Sequence, residues 1–191
     1  MTATAGPARW QLALGDLAAI DDAVYRAVAA TPSPALDRTL ARLSRAADHS
    51  VLWMGIGAGL AAGGRPGRRA AVAGLASVAV TSAVANAGLK HLHRRPRPDA
   101  AGAGVGLGRA VPMPRSGSFP SGHAASAFAF ATAAGAELPV AAFPLRCLAA
   151  AVAYSRVHGG AHYPGDVIAG GLLGGAIAAA VTRGMRAVRA G

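Results

Sequence analysis

An all-α fold, an integral-membrane bundle of about five apolar helices preceded by amphipathic ones, is what the sequence predicts. Three observations predict it. Apolar residues make up 53% of the 191 and charged residues only 14%, against about 25% charged in a typical soluble domain. Five apolar stretches follow one another with arginine- or loop-rich breaks between them. Within those stretches Ala and Gly dominate over the β-branched residues that strands favour. The length fits one domain and is too short for two ordinary ones.

Residues 1–48 read as an amphipathic helical segment, and residues 49–191 as a membrane-embedded domain. In the first segment Trp10, Leu14, Leu17 and Val24 recur near helical spacing, as do Leu36, Leu40 and Leu43. Thr31-Pro-Ser-Pro34 marks the break between the two helices. The stretch from Gln11 to Ile20 is interrupted by Asp16 and followed by Asp21 and Asp22, so it does not read as a secretion signal. Membrane insertion therefore falls to internal helices.

The first apolar stretch, residues 49–64, is stopped by Arg65-Pro-Gly-Arg-Arg69. Residues 70–89 form an uncharged run of 20, the length a spanning helix needs unaided. Residues 124–138 are apolar apart from Glu137, with a helix end expected near Pro139. Residues 140–155 carry one charge, Arg146, and residues 167–182 carry none before Arg183, Arg186 and Arg189. Several runs fall short of a straight span, so hydropathy alone leaves a compact soluble helical bundle open.

The formal net charge is +11, from 18 Arg, one Lys and eight acids. This excess suits an anionic partner such as a bilayer surface or a phosphorylated substrate. Nucleic acid is the poorer match, because aromatics are only 5% and no basic stripe alternates with stacking residues. The single cysteine, Cys147, excludes an internal disulfide and a thiolate cluster, and its apolar surroundings predict a small core residue.

Three short segments at helix ends hold most of the remaining polar chemistry. They are Lys90-His-Leu-His-Arg-Arg-Pro-Arg97-Pro98, Phe119-Pro-Ser-Gly-His123 and Ser155-Arg-Val-His-Gly-Gly-Ala-His162-Tyr-Pro-Gly-Asp166. A helical-hairpin topology brings those ends to one face. Lys90, Arg97 and Arg156 then offer permanent positive charge, with the arginine fork matched to two phosphate oxygens. Ser121 and Gly122 stand where a helix starts, so backbone N–H groups and the helix dipole face an anion. His123 and His162 supply a proton donor and a nucleophile near neutral pH. Asp166, four residues after His162, is placed to hold one ring nitrogen and aim the other.

These segments resemble the three signature motifs of the type 2 phosphatidic acid phosphatase family, which shares its site with the vanadium haloperoxidases. The family pattern reads Lys, six residues, Arg-Pro; Pro-Ser-Gly-His; and Ser-Arg, five residues, His, three residues, Asp. Every position is matched here in order and spacing, across residues 70–182. The resemblance implies a membrane lipid phosphatase in which His162 attacks phosphorus to form a phosphohistidine. Asp166 would orient that ring and His123 would protonate the departing oxygen. Lys90, Arg97, Ser121, Gly122 and Arg156 would hold the phosphoryl oxygens, with no metal and no cofactor. The implied substrate is a polyprenyl (di)phosphate, phosphatidic acid or phosphatidylglycerol phosphate; the alternative is a vanadate-dependent haloperoxidase.

The other polar residues of these segments read more plainly. His158 and His162 are four apart, but Gly159-Gly160 disfavour a helix between them and no third metal ligand is placed. His91 and His93 are expected at the mouth of the site, and Arg94 and Arg95 against anionic headgroups. Tyr163-Pro164-Gly165 reads as a turn capped by Asp166. If the stretches span a cell membrane, Arg65, Arg68, Arg69, Arg183, Arg186 and Arg189 collect on the face opposite the motifs. The positive-inside rule then turns the motif face to the extracytoplasmic side.

Overall fold

The computed structural model describes residues 8–85, 95–106, 108–109, 111, 113 and 116–191. Among the described residues every regular element is helical. In order they are α1 (Arg9–Ala30), α2 (Pro34–Ala46), a single 3-10 turn (Asp48–Ser50), α3 (Val51–Ala61), α4 (Gly64–Val84), α5 (Gly122–Glu137), α6 (Pro139–His158) and α7 (Pro164–Ala190). Pro34, Pro139 and Pro164 each open a helix. There the missing N–H costs nothing, because the first turn has no intrahelical acceptor for it.

Helix α5 is the centre of the bundle. Ala124, Ala125, Ala127, Ala129, Phe130, Ala131, Ala133 and Ala134 are all buried, against α4, α6 and α7. Small residues set how closely the helices approach. The carbonyl oxygens of Ser121 and Ala125 occupy the space that side chains on Gly170 and Gly174 would need. This four-residue spacing of small residues is the kind that brings membrane helices into backbone contact. Gly74 likewise admits the Phe130 ring, whose Cδ2 lies 2.8 Å from where a Cβ would sit. Phe130 packs on Trp53 with ring centroids 5.3 Å apart.

The outer surface is apolar where a soluble bundle would be charged. Val140, Phe143, Ile168, Leu172 and Val188 are exposed, with Val140 at 82% and Phe143 at 77%. Helices α6 and α7 are long and apolar enough to cross a membrane. Exposed apolar surface on this scale calls for lipid rather than water. Cys147 corrects the sequence expectation of a core residue, because it is exposed. Its neighbours on α6 are apolar because that face looks outward toward lipid. The run 70–89 is corrected in part: α4 carries Arg65, Arg68 and Arg69 in its first turns and ends at Val84, with residues 86–89 outside the described residues.

The bundle has two chemically distinct ends. At the end where α5 finishes, Glu137 takes Arg189 Nη1 at 2.8 Å and Arg186 Nε at 3.4 Å, and Arg186 Nη2 also donates to Ala136 O. The described residues of the three motifs lie at the other end. There Arg109, buried on the long loop, clamps the α1–α2 break. Its Nη1 donates to the carbonyls of Val28 and Ala29, its Nη2 to Thr31 O and Ser33 Oγ, and its Nε to Asp37 Oδ1 at 2.9 Å. Asp37 Oδ1 also meets His158 Nε2 at 3.0 Å. One carboxylate thus ties α2, the loop and the end of α6 together.

Candidate active site

The end of α6 explains how Arg156 and His162 become neighbours. Ala161 N–H donates to Arg156 O at 2.9 Å and Gly160 N–H to Val157 O at 3.0 Å. These two bonds make a Schellman motif, whose left-handed residue is Gly160 at φ +72°. His162 N–H donates to the same Arg156 carbonyl at 3.2 Å. The double glycine therefore folds the chain back over the last turn of α6. This is the non-helical path expected from the sequence.

Asp166 is wholly buried in the first turn of α7, and three groups hold its carboxylate. Tyr163 N–H donates to Oδ2 at 2.9 Å, closing the cap of α7. Arg95 Nη1 meets Oδ1 at 3.0 Å. His162 Nδ1 stands 3.6 Å from Oδ2, an ion-pair distance longer than a hydrogen bond. The opposite ring nitrogen, Nε2, lies 3.3 Å from Arg97 Nη1. Arg97 is itself fixed by donating to Ser116 O, Gly117 O and Ala161 O.

The second motif joins the third through the backbone, as Ser121 N–H donates to Asp166 O at 2.9 Å. That amide is therefore engaged, and the Ser121 hydroxyl caps α5 by accepting from Ala124 N–H at 3.5 Å. Gly122 opens the helix, and a Cβ built on it would meet nothing within 4 Å. His123 lies within electrostatic range of both Arg156 and His162, and its Nε2 is 2.7 Å from Asp48 Oδ1.

Arg156 is only 1% exposed. Its Nη1 donates to Ser44 Oγ, while Nε and Nη2 are buried without a hydrogen-bond partner among the described residues. Unpaired guanidinium nitrogens at that depth are costly unless an anion compensates them. Burial pushes the His162 imidazole below its ordinary pKa; the Asp166 carboxylate pulls it back up, while Arg97 and Arg156 press it further down. The balance favours the neutral form of the ring, which has a lone pair to offer.

Of the eight residues picked from the sequence, Arg97, Ser121, Gly122, His123, Arg156, His162 and Asp166 gather at this end of the bundle. Lys90, with His91, His93 and Arg94, lies outside the described residues. Arg95 departs from its expected place among headgroups. It bridges Asp166 and Asp21, the latter at 2.7 Å, and its guanidinium lies 4.2 Å from the Tyr163 ring centroid. Sequence reasoning did not find Ser44, Asp48, Asp21 or Asp37, because no motif spacing links the first helices to the later ones. His158 turns to Asp37, and among the described residues no cluster of three metal-ligating side chains occurs.

Beside the cup runs an apolar groove of about 560 Å³. It is lined by Val28 of α1, Phe128 of α5, Ala153 and Val157 of α6, and Val167 and Leu172 of α7. Val157 follows Arg156 and Val167 follows Asp166, so the groove begins where the polar site ends.

Fold and site together define a helical membrane protein with a cationic cup at one end. Residues 70–190 match the family model described as the PAP2 superfamily, and the chain belongs to that family. Its fold is similar to that of the transmembrane PAP2-type phosphatidylglycerolphosphate phosphatase of Bacillus subtilis, with a TM-score of 0.70 and 24% identity over 91% of this chain and 88% of that one. It is also similar to LpxE of Aquifex aeolicus, with a TM-score of 0.67 and 25% identity over 84% of this chain and 93% of that one. Comparison with curated protein sequences gives no match.

Proposed function

We propose that this protein is a multi-pass cell-membrane phosphatase that hydrolyses a lipid phosphate or diphosphate and releases inorganic phosphate. The observation that carries this reading is the buried Arg156, whose Nε and Nη2 lack partners among the described residues, close to His162, whose neutral form burial favours. A phosphoryl group is the anion whose geometry matches an arginine fork, and an imidazole lone pair beside it is a nucleophile.

In this reading His162 Nε2 forms a bond to phosphorus as the bond to the leaving oxygen breaks. His123 gives that oxygen its proton. The neutral His123 then takes a proton from water, which displaces His162 and frees phosphate. Asp166 orients His162, and Lys90, Arg97, Arg156, Ser121 and the Gly122 amide hold the phosphoryl oxygens. The chemistry needs no metal or cofactor. Substrates of the polyprenyl (di)phosphate, phosphatidic acid or phosphatidylglycerol phosphate type fit the groove of about 560 Å³, which offers a hydrocarbon chain a path from the cup toward lipid. The haloperoxidase alternative draws no support from the comparisons.

The catalytic domain spans residues 49–191, and the helical segment 1–48 packs on it as a cap. The arginine-rich end faces the cytoplasm and the cup faces the extracytoplasmic side. Phosphate release from a panel of lipid phosphates in detergent, wild type beside His162→Ala, tests the reading. Turnover that survives the substitution would remove His162 as nucleophile.

A further inference from the structure

Asp48 belongs to none of the three motifs, yet its carboxylate touches the proton donor of the proposed reaction. Its Oδ1 lies 2.7 Å from His123 Nε2, closer than any other ion-paired carboxylate approaches a histidine among the described residues. The backbone is bent to put it there. Asp48 opens the single 3-10 turn, and the next two residues, His49 at φ 52° and Ser50 at φ 63°, both adopt the left-handed conformation. Two consecutive non-glycine residues in that region are uncommon, and such strain persists only where surrounding structure enforces it. Four residues earlier, in the last turn of α2, Ser44 accepts from Arg156 Nη1. The last turn of α2 and the 3-10 turn after it thus meet both the phosphate-binding arginine and the acid.

Burial, and after it the charge of Arg156, hold the His123 imidazole well below its ordinary range, at about 4, and Asp48 is the neighbour that pulls the other way. The charged groups facing His123 come from three places. Arg156 at the end of α6 and His162 in the following loop are the basic ones, and Asp48 is the acidic one. A histidine set among basic groups gives up its proton readily, which defeats a proton donor. A carboxylate in hydrogen-bond contact has the opposite effect, favouring the imidazolium and fixing the ring.

We infer that Asp48 is a positioning residue for the reaction: it holds the Nε2–H of His123 and fixes the ring, so that the other ring nitrogen faces the leaving oxygen and can deliver a proton to it. This rests on the phosphatase reading above. In the first step the N–P bond to His162 forms, the P–O bond to the alcohol breaks, and the proton passes from His123 to that oxygen. Asp48 exchanges no proton in this step, and its partner ring becomes neutral. Water then returns the proton to His123 as it attacks phosphorus. The sum is lipid phosphate plus water giving lipid alcohol plus inorganic phosphate.

Leaving-group dependence tests the inference, because an alkoxide needs protonation on departure and a nitrophenolate hardly does. Full-length wild type, Asp48→Asn, Asp48→Glu and His162→Ala are compared in detergent on phosphatidic acid and on p-nitrophenyl phosphate. General acid catalysis contributes about 10²- to 10⁴-fold. Loss of its support in Asp48→Asn is expected to lower kcat on phosphatidic acid by about 10- to 100-fold, with p-nitrophenyl phosphate changed by less than about threefold. The alkaline limb of kcat on phosphatidic acid should move to lower pH, and Asp48→Glu should restore part of the rate. Equal losses on both substrates, or no loss on either, would overturn the role of Asp48 while the phosphatase reading stood. Phosphate release that does not depend on His162 would remove that reading and this inference with it.

Discussion

Arg95 Nη1 lies 3.0 Å from Asp166 Oδ1, and so an arginine outside the proposed phosphate ligands holds the carboxylate that faces His162. The same nitrogen reaches Asp21 Oδ2 of α1 at 2.7 Å. Asp166 is thus secured from the loop before α5, from the cap of α7, and through Arg95 from the first helix. The ring it orients inherits that rigidity.

Removing Arg95 leaves Asp166 buried with a missing partner. A hydrogen bond to a charged group is worth about 1.5–3 kcal/mol, which corresponds to about 10- to 100-fold in rate if it serves the orientation of His162. Arg95→Met is expected to lower kcat by that factor while substrate affinity changes little. Steady-state kinetics on a lipid phosphate check this. A variant with wild-type kcat would show that Asp166 is held well enough without Arg95.

Two glycines should differ in stability, though not in loss of activity, when each gains a single methyl group. Gly160 sits at φ +72°, and a Cβ there would come within 2.7 Å of Ala100 Cβ. Gly160→Ala therefore combines left-handed strain of about 1–2 kcal/mol with a clash, and should lower the thermal unfolding midpoint in detergent as well as activity. At Gly122 a Cβ meets nothing within 4 Å. Gly122→Ala should unfold like wild type yet lose activity, because the methyl enters the space where the phosphoryl group is proposed to bind. Equal stability losses in the two variants would contradict this assignment.

The pH profile follows from the state of His162. Burial lowers its pKa in the folded protein, with Arg97 and Arg156 pushing the same way against Asp166. The neutral, nucleophilic ring therefore persists below the ordinary histidine value of about 6.5. The acid limb of kcat should lie below that pH. Stability carries the same sign: the contribution of the neutral ring is complete above the unfolded pKa and is lost as pH falls through the lower folded one. An acid limb at or above about pH 6.5 would mean that the ring is not shielded as described.

Arg156→Lys keeps the charge and removes the fork. Because Nε and Nη2 of Arg156 are buried without a partner among the described residues, the variant should lose activity by about 10-fold or more despite its unchanged charge. A fully active lysine variant would show that charge alone suffices.

Much of the fold was legible in the sequence because apolar runs and prolines act locally. Thr31-Pro-Ser-Pro34 divides α1 from α2 at the expected place, and Pro139 and Pro164 open α6 and α7. The third motif was legible for the same reason, since Gly159-Gly160 and the Asp166 cap are short-range devices. Contacts across long separations were not. Asp48 meets His123 across 75 positions, and Arg95 meets Asp166 across 71. Neither pair has a period or spacing that a single sequence could reveal. Cys147 was misplaced for a further reason: an apolar residue facing lipid and one facing a core look alike in sequence.

The central claim is that His162 takes the phosphoryl group covalently. Rapid mixing of the protein with a lipid phosphate labelled on phosphorus, followed by alkaline denaturation and peptide mapping, tests it most directly. The account predicts alkali-stable label on the peptide carrying His162 and none in His162→Ala. Rapid turnover with no label on that peptide, or label that survives the substitution, would contradict it.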